Sequence, residues 1–286
     1  MNFEESRLDK RIKRIYGKLI PQSMIEIALR NKDILVNGKR AKASDQVTEE
    51  DEIFVHPFVS KRFADVYCHK REKIIDYSRF KEQFKNIIIY EDKNLIIINK
   101  PPGLAVQLGT KTRLAVDVMA KAYNPEARLA HRIDKDTSGL SILAKNIETS
   151  RYMTYAFKNK EIKKSYLALV SGKLPMIEGR INRPLLRHKD KVIIDFENGR
   201  EAITEFKTIK NISKNRTLIL AFPLTGRTHQ IRVHLASIDC PILGDLKYGG
   251  LNFKHLCLHS YEIEFFDIRG KKIKLKAKTP EYFLRS

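Results

Sequence analysis

The sequence predicts an α+β protein whose larger part is a mixed, largely antiparallel sheet. Three observations carry this. Apolar β runs recur at Ile87–Tyr90, Leu95–Asn99 and Ser165–Val170. Residues 192–222 alternate apolar and polar positions in the manner of half-buried antiparallel strands, with Asn198-Gly199 as a turn. Helical patterns are few and do not alternate regularly with strands, which argues against an all-parallel sheet built of βαβ units.

Taken in order, Leu8, Ile12 and Ile15 recur at helical spacing among Arg7, Lys10, Arg11, Lys13 and Arg14, and Gly17 and Pro21 break that helix. Ser23-Met24-Ile25-Glu26 reads as a capping box that opens a second helix. Ile25, Ala28 and Leu29 form its apolar face, and it ends near Asn31. Ile34-Leu35-Val36 is a short strand, Asn37-Gly38 a hairpin turn signal and Ile53-Phe54-Val55 a closing strand. Together these define a small first domain, residues 1–58.

Residues 59–85 read as a basic linker, with eight Lys or Arg against four acids and scattered aromatics. The second domain, residues 86–286, opens with two apolar runs joined as a hairpin by Glu91-Asp92-Lys93-Asn94. Lys100-Pro101-Pro102-Gly103 then turns the chain sharply. Leu114, Val118, Met119 and Ala122 predict a helix that stops before Pro125, and a further helix is expected near 148–157.

The chain has 286 residues, 42% of them hydrophobic, enough for a proper core, and a formal charge of +21. Such a charge is an argument about partners, and nucleic acid leads. No segment approaches the roughly 20 apolar residues that span a bilayer, so no membrane association is expected. Met1 to Ser6 show neither a basic nor an apolar signal region, and three unpatterned cysteines fit a reducing compartment. A cytoplasmic monomer is the expectation.

The densest chemistry lies in His131-Arg132-Ile133-Asp134-Lys135-Asp136-Thr137-Ser138-Gly139-Leu140. Apolar steps, Leu129-Ala130 and Ile142-Leu143-Ala144, flank it, so it reads as a loop between buried strands, where a scaffold commonly places function. Its order closely resembles the active-site motif of the RluA-type pseudouridine synthases. Tyr166-Leu167-Ala168-Leu169-Val170-Ser171-Gly172 resembles that family's second motif, and Leu224 through His234 its third. Pro241-Ile242-Leu243-Gly244-Asp245 and Tyr248-Gly249 follow at the family's spacing. Upstream, Arg7-Leu8-Asp9, the second helix and Ile34 to Lys39 resemble an S4 RNA-binding domain.

The resemblance implies isomerisation of uridine to pseudouridine within RNA, a rearrangement that needs no cofactor and no metal. It makes Asp134 the catalytic carboxylate and Arg232 its basic partner, a guanidinium able to hold a carboxylate bidentately. It places the Tyr166 ring over the uracil and lets Arg132 fill the gap left by the flipped-out base. His131, Arg227 and His229 are further candidate RNA contacts in this domain; Arg7, Lys10, Arg11, Arg14 and Lys39 are those of the S4-like unit.

The implied substrate is large-subunit (23S) ribosomal RNA or an assembly precursor of it. The alternatives are tRNA, and a non-catalytic RNA-binding ribosome-assembly factor. The chain departs from the pattern at Gln107, where many relatives carry histidine, and in the lysine-rich stretch 60–85. A kinase catalytic loop is rejected, since Ile133 separates Arg132 from Asp134 and no Asp-Phe-Gly follows. His255, Cys257 and His259 have strand spacing but no fourth ligand, and are read as packing or hydrogen-bonding residues.

Overall fold

The computed structural model describes residues 5–17, 20–72, 77–108, 114–172 and 174–283. Its contacts divide the chain into two units, Met1–Asp76 and Tyr77–Ser286. The described residues of the stretch read as a linker are helical, and they are divided between the two units rather than lying outside both.

The first unit runs β1 (Ser6–Arg7), α1 (Leu8–Tyr16), α2 (Gln22–Arg30), β2 (Ile34–Val36), β3 (Gln46–Val47), β4 (Ile53–Val55) and α3 (Pro57–Glu72). Leu8 and Ile12 of α1, Ile25, Ala28 and Leu29 of α2, and Val59 and Phe63 of α3 share one core. The buried stripe of α1 continues to Tyr16, whose ring meets Phe63 edge-on. Ile15 therefore falls beside the stripe and is 55% exposed, contrary to the sequence expectation.

Two local readings are also corrected. Pro21, with φ −60° and ψ 139°, occupies the N-cap of α2, and its carbonyl accepts from the Met24 and Ile25 N–H groups. Proline pre-sets the entry into the helix, so Ser23 lies within the first turn and makes no capping bond. Asn37 and Gly38 do form a tight turn, both at positive φ. It closes with a single Val36–Lys39 bridge, and the ladder partner of β2 is the distant β4.

The second unit begins with α4 (Tyr77–Lys85), β5 (Ile88–Glu91), β6 (Leu95–Lys100), α5 (Val116–Tyr123), β7 (Arg128–Leu129), β8 (Ser138–Ala144), α6 (Ile147–Lys158) and β9 (Lys163–Ser171). It continues with β10 (Glu178–Asn182), β11 (Leu185–His188), β12 (Lys191–Ile194), β13 (Ile203–Ser213), β14 (Arg216–Pro223), α7 (Gln230–Ala236), β15 (Leu258–Phe266) and β16 (Lys272–Lys276). Ten of these strands form one sheet in the order β10-β13-β14-β9-β15-β8-β6-β5, with β16 on β15 and β7 on β8. Every pairing in it is antiparallel except β8 with β15. β11 and β12 form a separate hairpin.

The period-two rule explains how this sheet is covered. Leu95 and Ile97 of β6 join Leu140 and Ile142 of β8 in a core beneath Met153 and Ala156 of α6. The alternate residues Ile96 and Ile98 face the other way, toward Phe84 of α4 and Val116, Met119 and Ala120 of α5. Burial of each such aliphatic side chain contributes roughly 1.5–3 kcal/mol. The α5 face is thus Val116, Met119 and Ala120; Val118 and Ala122, expected on it, are only half-buried. All seven residues of β8 are buried, which makes a rigid base for the loop that precedes it.

Candidate active site

Asp134 lies in the loop between β7 and β8, whose two strands pair with each other. Three anchors hold this loop. Lys100, fully buried at the end of β6, donates from Nζ to the carbonyls of Lys135 (2.8 Å), Leu104 (2.8 Å) and Pro101 (3.0 Å). Only an ammonium offers three donors, so this geometry calls for the charged form. Burial nevertheless draws the Lys100 pKa down to about 7, with Asp136 and Asp134 opposing. Second, the Ile142 N–H donates to His131 Nε2 at 3.0 Å, and the imidazole stacks on Phe157 with centroids 4.6 Å apart. Third, Gly139 sits at φ 102° against β15, where a Cβ would overlap the Ser260 carbonyl. Only glycine suits both that φ and that close approach.

Ser138, at the loop's end, bonds through Oγ to His259 Nδ1 at 2.8 Å. His259 is fully buried, and burial pushes its pKa from 6.5 down to about 4. The folded state therefore holds it neutral while the unfolded chain takes up a proton below pH 6.5. Its contribution to stability is present above 6.5 and lost as pH falls toward 4, about 3 kcal/mol in all. Urea unfolding of the protein and of His259→Gln across pH 4–7 should show the variant's stability falling less steeply; parallel slopes would contradict this.

Around Asp134 the structure gathers residues from distant parts of the chain. Arg232 Nη1 lies 3.3 Å from Asp134 Oδ2, and His229 Nε2 3.8 Å from the same oxygen. The bidentate partner of Arg232 is not Asp134, as the sequence implied, but Asp245. Arg232 Nε and Nη2 each donate to an Asp245 oxygen at 2.7 Å, and both side chains are buried. Burial alone would lower the Arg232 pKa, but Asp245 and then Asp134 carry it above the usual arginine value. The guanidinium also lies over the Tyr248 ring, 5.1 Å from its centroid.

Tyr166 on β9 is 9% exposed. Burial pushes its phenol up to about 12, with Ser260 lowering and the Asp134 charge raising it. At neutral pH it is a protonated donor with an aromatic face, not a base. His229 caps α7 in the left-handed region, φ 52°. Burial, Arg232 and Lys247 lower its pKa and Asp134 opposes them, so the imidazole is neutral near pH 7.

The other candidates are placed differently. Arg132 is exposed, two residues from Asp134. His131 is turned onto Phe157 and the β8 backbone, so its side chain serves the loop rather than reaching outward for RNA. Arg227 is exposed and donates to the Glu201 carbonyl at 3.0 Å, away from the carboxylate. In the first unit Arg7 is paired with Asp9 and Arg11 with Glu49, while Lys10, Arg14 and Lys39 are exposed.

Sequence reasoning did not single out Lys100, Asp245 or Tyr248 as site residues. The signals were available: a lysine closing an all-apolar run, and an aspartate directly after a glycine in a segment that tracks the third motif. Among the described residues no helix is long and apolar enough to cross a membrane.

A family model described as RNA pseudouridylate synthase matches residues 94–237, which hold the loop, Tyr166 and Arg232. The chain belongs to this family of RNA-modifying isomerases. It is 40% identical over 296 residues to the ribosomal large subunit pseudouridine synthase C of Rickettsia bellii, with 98% of this chain and 96% of that protein covered. The protein of the same name from Vibrio parahaemolyticus is 36% identical over 263 residues, covering 87% of this chain and 81% of that one. Among solved structures, human RNA pseudouridylate synthase domain containing 4 superposes with a TM-score of 0.62 at 27% identity, covering 73% of this chain and 95% of that one.

Proposed function

We propose that this protein isomerises uridine to pseudouridine at a defined site in large-subunit ribosomal RNA, with Asp134 as the reacting carboxylate. The observation that supports this most is the Asp134–Arg232–Asp245 array, a partly open carboxylate beside a buried, doubly anchored guanidinium. In the reaction the N1–C1′ bond breaks and C5 bonds to C1′. The C5 proton leaves and N1 gains one, so atoms balance without a co-reactant. Asp134 acts at the ribose, as nucleophile at C1′ or as base on a ribose proton.

The target base must leave its stack, at a cost of a few kcal/mol. Arg132, exposed beside Asp134, supplies a planar cation to fill the gap. Tyr166 presents its ring to the uracil and keeps its proton. Arg232, held from behind by Asp245, keeps positive charge next to Asp134 and fixes where it points.

The names of the curated relatives, and their coverage of nearly the whole chain, support ribosomal RNA over tRNA. Mapping pseudouridines in the rRNA and tRNA of cells lacking the gene tests this. Loss at large-subunit rRNA uridines is expected. Loss at tRNA sites alone would overturn the substrate, and no loss at any site would favour an assembly factor without catalysis.

We propose further that the first unit is an S4-like RNA-binding module acting through phosphate contacts. Lys10 and Lys39 are exposed there and carry the expectation. Each phosphate contact lowers the slope of log affinity against log salt by about one. Lys10→Ala with Lys39→Ala should flatten that slope by about two and leave turnover at saturating RNA unchanged. An unaltered slope would remove these lysines from the interface.

A further inference from the structure

The short turn Leu246–Tyr248 carries a side chain that touches both Arg232 and His229, the two groups beside the Asp134 carboxylate, yet has no role in the reading above. The Tyr248 ring packs with Leu185, Val192, Ala202 and Val233 and lies beneath the Arg232 guanidinium. Its hydroxyl accepts from the Val192 N–H of the β11–β12 hairpin at 3.1 Å and lies 2.6 Å from His229 Nδ1. Lys247 ties the same turn to the hairpin a second time, donating to the Asp190 carbonyl.

We infer that Tyr248 is a positioning residue that sets the tautomer of His229, so that a donor and not a lone pair faces Asp134. Proton accounting carries this. The phenol oxygen already accepts one bond from the Val192 N–H, and His229 Nδ1, 2.6 Å away, is the acceptor we assign to its own proton. A neutral imidazole with Nδ1 accepting carries its proton on Nε2. Nε2 is the atom 3.8 Å from Asp134 Oδ2. The opposite tautomer would set a lone pair against the carboxylate. The groups facing this imidazole are Asp134 from the loop, Arg232 from α7, and Asp245, Lys247 and Tyr248 from the turn and its approach. The His229 ring lies between Tyr248, which it meets edge-on, and Asp134. The logic is that of an orienting partner that holds a histidine in one tautomer and acts only through it.

The catalytic meaning rests on Asp134 being the reacting group; the tautomer does not, and the two are tested apart. In protein labelled with ¹⁵N-histidine, the His229 resonance, assigned by its absence in His229→Gln, should show Nε2 protonated and Nδ1 bare at pH 7 and above. Tyr248→Phe keeps the ring under Arg232 and removes the hydroxyl. It should average the two tautomers and lower kcat by about tenfold with RNA affinity unchanged. In a His229→Gln background the same change should be silent. A protonated Nδ1 in the unaltered protein overturns the proposal without reference to any variant. So does Tyr248→Phe with tautomer and kcat unmoved. Should Asp134→Ala retain activity while the tautomer behaves as stated, the positioning stands and the identity of the reacting carboxylate falls.

Discussion

Replacing Asp245 with alanine is expected to lower stability by about 3–5 kcal/mol and turnover by about a hundredfold. Both effects come from one buried pair. Asp245 accepts two bonds of 2.7 Å from Arg232, and neither side chain has more than a small fraction of its surface in water. Such a pair contributes little over an apolar substitute, but removing one partner leaves the other charge buried without compensation. Here the stranded guanidinium keeps one long hydrogen bond, 3.3 Å to Asp134, besides the Tyr248 ring beneath it. It would be drawn toward the carboxylate that must remain available to substrate, and small displacements of a reacting group are costly. The local backbone leaves no slack, since Gly244 lies at φ 82° where a Cβ would overlap the His255 carbonyl. Urea unfolding and turnover of Asp245→Ala and Asp245→Asn check this. A stable, active Asp245→Ala would show that Arg232 needs no second carboxylate.

How much of this could be read from residues alone follows from the range of the forces involved. The β5–β6 hairpin, the β9 strand and the turn after Asn37 were legible because each depends on neighbours in sequence. The loop carrying Asp134 was legible as a polar insert between apolar runs. The Arg232–Asp245 pairing was not, because two carboxylates compete for one guanidinium and only the fold assigns its fork. Lys100 reads as the polar end of a strand. The carbonyls that accept from it come from Pro101, Leu104 and Lys135, the last of these 35 residues away. In α3 the apolar period is carried by Val59 and Phe63 among many charges, so helix and linker look alike in composition. At α2, Ser23 and Glu26 had the right spacing for a cap, and Pro21 pre-empted them.

The larger expected effect is at Asp134. Its side chain is about a quarter exposed, with Arg232, His229 and the Tyr166 phenol around it, and each of these is held by groups other than Asp134. Removing the carboxylate should therefore leave the surroundings standing, and the loss should be one of chemistry. A drop of at least about 10⁴-fold is expected on removal of a group that acts covalently or as an essential base. RNA affinity and urea unfolding should change little.

Release of tritium from C5 of uridine in large-subunit ribosomal RNA reads this directly, because C5 loses its hydrogen only when the new glycosidic bond is made. With equal amounts of the protein and of Asp134→Ala on the same RNA, release is expected from the first and none above background from the second, with both binding the RNA equally. Release by Asp134→Ala at a rate within tenfold of the unaltered protein would place the reacting group elsewhere.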